Sequence, residues 1–279
     1  MLCGMSPLLP VRTRPTSLDC GLGCDAPRRD ATRLDASRGA PWRVHGRALH
    51  QASRQASESH TCLRMVSYVV SGGQTGADTG ALLAAEAVGM RTCGYMPRGY
   101  EREGGGGLRI AENYSLSEGT TGVLRSPLGV QHTGNAYKWR DMANVGLVDG
   151  LAGGVVAVRL SAPNTGKGTM QTMHYAREGA YDFCPDLYVR PSDDVDVQDV
   201  SGTYARVLCL WDPHQLEGDR RAAALASLVD WLNASSPASG LVVSGPLGST
   251  APGIEDAIAN LLGDALRLHC EHAHEREGV

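Results

Sequence analysis

Lysine is nearly absent from this chain: Lys138 and Lys167 are the only two in 279 residues, and phenylalanine occurs once. With so few aromatic side chains, aliphatic ones must build the core. No apolar run approaches the roughly 18–20 residues of a membrane span, which excludes a membrane-embedded protein of the helical kind. None of the eight cysteines forms a C-x-x-C pair. That leaves neither a zinc knuckle nor a disulfide framework, and it favours a reducing, cytoplasmic compartment. Cys93 and Cys209 sit in strand-like apolar runs, where a small buried hydrophobe is the expected role. Hydrolase signatures are missing too: there is no G-x-S-x-G elbow, no H-E-x-x-H and no Ser–His–Asp order. A Walker A loop fails on both sides of Lys167, since Ser161 stands where glycine is needed and Gly168 where Ser or Thr is needed.

Charge divides the chain. Residues 1–64 carry ten Arg and five acids, a balance of +5, so the remaining 215 residues hold −9 of the overall −4. An acidic globular part argues against nucleic-acid binding, which needs a basic surface. Residues 1–64 show neither a period of 2 nor one of 3.6 and are rich in Arg, Ser, Ala, Asp and Pro. They read as a disordered extension. Met65 stands directly before the first strand and is an alternative start.

From there the pattern alternates. Strands are expected at Val66–Ser71, Arg91–Met96, Val155–Leu160, Asp186–Arg190, Arg206–Trp211 and Gly240–Ser244, with a short one or two in Tyr114–Arg125. Helices are expected at Ala77–Val88, Asn135–Val145, Gly168–Glu178, Asp219–Asn233 and from about Pro252 towards Cys270. Pro97–Leu108 reads as a long flexible loop and Ser192–Thr203 as acidic turns. This is an α/β chain, a single Rossmann-like domain over 65–279 with a mostly parallel sheet and helices on both faces.

Three glycine-bearing loops follow strands: 71–78 (SGGQTGAD), 164–169 (NTGKGT) and 244–254 (SGPLGSTAPGI). A strand, a small-residue turn and a helix start present unpaired N–H groups and a positive dipole end to an oxyanion. If the loops converge at one sheet edge, they grip a small anionic ligand. Gly72, Gly73 and Gly76 allow close backbone approach, Gln74 lies between them, and Thr75 can cap the following helix. Asp78 either complements the helix dipole or accepts hydrogen bonds from a ribose or pterin. Lys167, between Gly166 and Gly168 and next to Thr169, can neutralise an oxyanion; a solvated loop charge is the alternative. Gly245, Pro246 and Ser249 belong to a stiffer third loop bracketed by Pro246 and Pro252. Arg98 can cover the pocket, and Arg140 and Asn144 lie one helical turn apart; pairing of Arg140 with Asp141 or Asp149 is the plainer account. The cluster His269, Cys270, His272 and His274 has poor spacing for one metal and reads as a polar tail.

These motifs together resemble the putative molybdenum carrier family, within the Lonely-Guy-like (SLOG) superfamily of Rossmann-like nucleotide-ligand binders. The resemblance rests on 71–78, Pro97-Arg98-Gly99, Arg140 with Asn144, Thr165-Gly166 with Gly168-Thr169, and 245–254, and spans about residues 65–266. It implies a carrier that binds molybdenum cofactor, or molybdate, as a homo-oligomer, with molybdoenzymes as acceptors. The superfamily's phosphoribohydrolases carry a glutamate after the second loop, where this chain has Met170, Gln171 and Thr172. A non-catalytic binder is therefore expected. The alternatives are a nucleotide N-glycosidic hydrolase using Asp78 and Glu86, and a nucleotide sensor.

Overall fold

A computed structural model describes residues 66–119, 122–126, 129–133, 136–148, 152–161, 166–179, 190–234 and 239–277. The expectations for residues 1–64, for the Asp186–Arg190 strand and for Asn164 and Thr165 lie outside these.

β-Branched runs form the sheet. Strands β1 (Val66–Val70), β2 (Arg91–Cys93), β7 (Gly154–Arg159), β9 (Arg206–Trp211) and β10 (Ser239–Ser244) are mutually parallel, and β8 (Val197–Asp199) pairs antiparallel with β9. The order is β2-β1-β10-β7-β9-β8. In β7, Val156 and Val158 face one side while Val155 and Ala157 face the other, the two-residue alternation of a strand. Both sides are covered. Helices α1 (Ala77–Ala87), α5 (Gly218–Asn233) and α6 (Ile254–Glu277) pack on the first. Helices α3 (Ala136–Gly146) and α4 (Lys167–Glu178) pack on the second. The expected architecture is the observed one.

Small residues bring α1 and α6 together: a Cβ on Gly80 would stand 2.5 Å from the Glu255 carbonyl. On α6, Ile254, Ile258, Leu261, Leu262, Ala265 and Leu266 repeat at helical spacing and are all buried. Each buried Leu or Ile removes enough apolar surface to contribute roughly 1.5–3 kcal/mol. Cys209 is fully buried as expected, and burial pushes its thiol up to about 12.

Several local expectations are corrected. The strand expected over Arg91–Met96 breaks at Gly94, where the chain leaves the main sheet; Tyr95–Met96 (β3) pairs instead with Ser117–Glu118 (β4). A separate hairpin joins β5 (Gly122–Ser126) and β6 (Gly129–Thr133). The supposed flexible loop after Pro97 contains a helical turn at Arg98–Tyr100 and leads into α2 (Gly107–Asn113). Within the acidic turn region, β8 finds a strand partner that composition could not reveal. Pro252 stands before α6 rather than inside it. His269 is no frayed tail residue: it is 1% exposed, accepts the Val66 N–H at 3.2 Å and lies 2.7 Å from Asn233 Oδ1.

Candidate functional site

β1, β10 and β7 are neighbours in a parallel sheet, so the chain leaves all three at the same edge. The loop after β1 leads into α1, the loop after β7 into α4, and the loop after β10 towards α6. This is the strand-end crevice where such sheets take ligands. The first and third loops touch. Ala77 N donates to the Pro246 carbonyl at 3.2 Å, and Gly248 N donates to Thr75 Oγ1 at 3.2 Å. Gly76 makes this possible, with φ 76° and a phantom Cβ only 2.4 Å from the Pro246 oxygen. Between the loops lies a cavity of about 280 Å³. Gln74 and Asp78 line it from the first loop, Gly166, Lys167, Gly168 and Thr169 from the second, and Ser244–Leu247 with Thr250 from the third. Arg140 and Asp141 of α3 complete the wall. The predicted convergence of the three loops is observed.

Their chemistry differs from loop to loop. At α1, the helix start is already engaged: Gly76 N points to Glu255 Oε2 at 3.3 Å, Ala77 N to Pro246, and Gln74 N to Asp78 Oδ2 at 3.2 Å. The third loop is similar, with Gly248 N on Thr75, Ser249 N on Glu103 Oε2 at 3.4 Å, and Thr250 N and Ala251 N on the Leu247 carbonyl at 3.1 Å. The start of α4, whose first N–H groups have no described acceptor, opens on the cavity. Its N-cap is Gly166 (φ 76°), no side chain caps it among the described residues, and its first turn holds no acid. The first N–H groups of any helix lack intrahelical partners. Here those groups belong to residues that line the cavity. A Cβ on Gly168 would meet no described residue within 4 Å, so this glycine leaves room that no described group fills. Lys167 is exposed at the rim, and Thr169 is buried.

Opposite stands one arginine between two carboxylates. Arg140 Nη1 donates to Asp78 Oδ2 at 3.1 Å, and Nε lies 2.9 Å from Asp141 Oδ1 without the direction of a hydrogen bond. The three side chains are 12%, 8% and 15% exposed. Gly72 passes directly beneath: its phantom Cβ would sit 1.4 Å from Arg140 Nη1. Burial raises the Asp78 carboxyl, opposed by Arg140, the Gln74 N–H and Arg102. Burial also lifts Asp141, to about 6; Arg140 opposes this and Asp78 adds to it. Burial acts against the Arg140 charge, yet Asp141 and Asp78 hold its pKa above the ordinary value.

The remaining candidates have other work. Thr75 does not cap α1; its hydroxyl bonds Glu103 and Gly248. Asn144 is buried and clasps both backbone groups of Tyr95, at 2.7 and 3.2 Å, rather than facing the cavity with Arg140. Arg98 is exposed and is not among the residues lining the cavity, and Gly73 packs against Met96 and Leu116. Ser249 donates to Glu103. Glu86, a suggested acid or base, bonds Tyr114 at 2.6 Å on the exposed face of α1. Sequence reasoning missed Asp141 and Glu103. Asp141 was legible only as a neighbour of Arg140, and Glu103 sat in a loop read as flexible.

Residues 69–185 match the circularly permutated YpsA SLOG family. The superfamily resemblance read from the motifs is thereby borne out over that stretch. The SLOG segment contains the first loop, Arg140 and Asp141, and the open start of α4, and it ends before β9 and β10. A solved structure, that of a putative molybdenum carrier protein from Syntrophus aciditrophicus, is similar at 22% identity and a TM-score of 0.47. The match covers 73% of this chain and 97% of that one. No curated protein matches. Among the described residues no helix is long and apolar enough to cross a membrane, and no group of His, Cys, Asp and Glu is arranged to hold a metal ion.

Proposed function

We propose that this protein is a non-catalytic binder of a small anionic ligand, held at the open start of α4. The matched segment supports a SLOG-type ligand-binding role. The observation that carries the finer reading is the conjunction at one cavity of free helix N–H groups, the vacant space beside Gly168, and Lys167. The motif resemblance narrows the ligand to molybdenum cofactor, molybdate or a nucleotide-like phosphate, and the role to that of a carrier serving molybdoenzymes. Molybdate oxygens would be met by N–H donors and Lys167, since the wall offers hydrogen-bond donors rather than a set of metal ligands. A homo-oligomeric, cytoplasmic protein with its binding unit in residues 65–279 completes the proposal.

The test has two parts. Native mass spectrometry and elemental analysis of protein purified from its own host should show a co-purifying phosphate- or molybdenum-bearing molecule. In titrations with phosphate and molybdate, Lys167→Ala should weaken binding by about 1–3 kcal/mol, as for a charged hydrogen bond. Unchanged affinity in that variant removes Lys167 from the site.

One observation favours a second reading, the N-glycosidic hydrolase. Asp141 lines the cavity with a pKa of about 6, close to what a general acid or base needs at neutral pH. Release of free base from nucleoside monophosphates, abolished in both Asp78→Asn and Asp141→Asn, would establish it and displace the carrier.

A further inference from the structure

A second cavity, of about 490 Å³, lies beyond the ends of β7 and β9 and shares Thr250 of the third loop with the first. Part of its wall belongs to a chain of paired charges. Asp212 takes the Ser161 N–H on both carboxylate oxygens, at 3.1 and 3.2 Å, and Arg190 Nη1 at 3.2 Å. Arg190 Nη2 continues to Asp196 Oδ1 at 2.7 Å, and Arg220 donates to both oxygens of Asp196. The Asp212, Arg190 and Asp196 side chains are only 7%, 11% and 10% exposed. Asp212 also holds φ 42° and ψ 48°, left-handed values that a residue other than glycine keeps where its surroundings enforce them. This inner wall is fixed, and its charges already answer one another.

Two charged groups of the lining keep open capacity. Arg220 is 52% exposed, and its Nη1 has no partner among the described residues. The exposed Asp193 carboxylate likewise accepts no hydrogen bond from a described residue. Its backbone carbonyl alone is engaged, by Arg190 Nη2 at 2.9 Å and Arg220 Nη2 at 3.5 Å, which sets Asp193 and Arg220 side by side. Leu160, Ala251 and Pro252 give the same cavity an apolar portion. A bare anion entering here meets Asp193 and Asp212, and a bare cation meets Arg190 and Arg220, so either is opposed by like charge. A molecule carrying both signs meets an open partner for each.

We propose that this second cavity binds a small zwitterion, an α-amino acid with an aliphatic side chain: carboxylate on Arg220 Nη1, ammonium on the Asp193 carboxylate, side chain against Leu160, Ala251 and Pro252. An α-amino acid carries its two charges on one carbon, which suits receptors that stand together. The ligand adds charge-assisted hydrogen bonds to groups with capacity left and breaks none within the paired wall. This site is separate from the anion site and does not depend on that reading. Through Thr250, its occupant is felt by the third loop.

The experiment titrates the full chain calorimetrically at pH 7.5 with four probes. L-Leucine has both charges and the side chain, isoamylamine lacks the carboxylate, isocaproate lacks the ammonium, and glycine lacks the side chain. Leucine should bind roughly tenfold or more tighter than each of the other three, the worth of one charge-assisted hydrogen bond or one buried aliphatic side chain. Asp193→Asn changes a side chain without a described partner, so the fold is kept. It should weaken leucine about tenfold and leave isocaproate unchanged. Arg220→Gln should weaken leucine likewise and leave isoamylamine unchanged. Bound leucine should slow amide exchange in 212–215 and 249–252. If leucine does not bind, binds no tighter than its truncated analogues, is indifferent to Asp193→Asn, or protects other segments instead, the cavity is no amino-acid site.

Discussion

At the scale of single residues, Asp141 makes the sharpest prediction. Its carboxyl titrates at about 6 in the fold against 3.8 ordinarily, because burial outweighs Arg140. Between those values the folded form keeps a proton that the unfolded form has released. Stability therefore falls as pH rises through the window, and the whole penalty is present above it. At 1.36 kcal/mol per unit the penalty is about 3 kcal/mol. Asp141→Asn removes it, so the variant should melt on the order of 5–10 °C higher than wild type at pH 7.5, with the gain vanishing near pH 4 in scanning calorimetry. A second residue-level change tests the clasp from beneath. Gly72→Ala places a methyl 1.4 Å from Arg140 Nη1. The arginine can swing aside, so the fold survives while Asp78 loses its partner. A loss of roughly 1–3 kcal/mol is expected, less than the 3–5 of deleting one member of a buried pair. An unchanged denaturation midpoint would show that the pair does not hold. Asp78 and Arg140 were both singled out from sequence, yet their pairing was not. They lie 62 positions apart, and no local pattern reports a contact made by tertiary folding.

At the scale of elements, legibility followed the strength of the period. β9 matches its expected span to the residue, and β1, β7, β10, α1, α3, α4 and α5 fall within one or two residues. What failed were pieces shaped by their partners. β3 leaves its expected strand to pair with β4, a two-residue strand that does lie in the Tyr114–Arg125 stretch where a short strand or two was expected; β8 exists because β9 has an open edge. The segment after Pro97 failed for another reason, since glycine content hid a set of fixed contacts. Gln74 Nε2 donates to the Glu101 carbonyl at 2.6 Å, Arg102 Nε to the Gly73 carbonyl at 3.0 Å, and Glu103 accepts from both Thr75 and Ser249. That carboxylate thus bridges the first and third loops, and the bonds from Ser249 and Thr75 hold its pKa below the ordinary value. Glu103→Ala should raise amide exchange in 71–76 and 245–253 together while leaving β7 and β9 protected. Faster exchange in only one loop would contradict the bridge.

At the scale of the molecule, everything at the cavity depends on which strands are neighbours. β1 and β7 touch only through β10, which lies between them. The SLOG-matched stretch, 69–185, contains β7 and only the last two residues of β1, and not β10. A fragment of residues 66–190 should therefore show neither a cooperative thermal transition nor near-ultraviolet circular dichroism, whereas 66–279 should show both. Cooperative melting of the shorter piece would mean that β1 and β7 can close directly. Convergence of the three loops was anticipated from their glycines and from the rule that parallel sheets gather ligands at strand ends. The division of labour among them was not, because it depends on which amides find protein acceptors.

The central position of β10 also sets a timetable. A chain emerging from the ribosome delivers β1, β2, β7, β8 and β9 in turn, and none of these can bring the cavity walls to their final spacing. The keystone is the last described strand to be made. Until it slides in, two apolar strand edges stand open to each other and to their surroundings, the condition that invites mispairing. Newborn copies thus pass through a vulnerable interval that ends with a single insertion, and only then are the cavity walls complete.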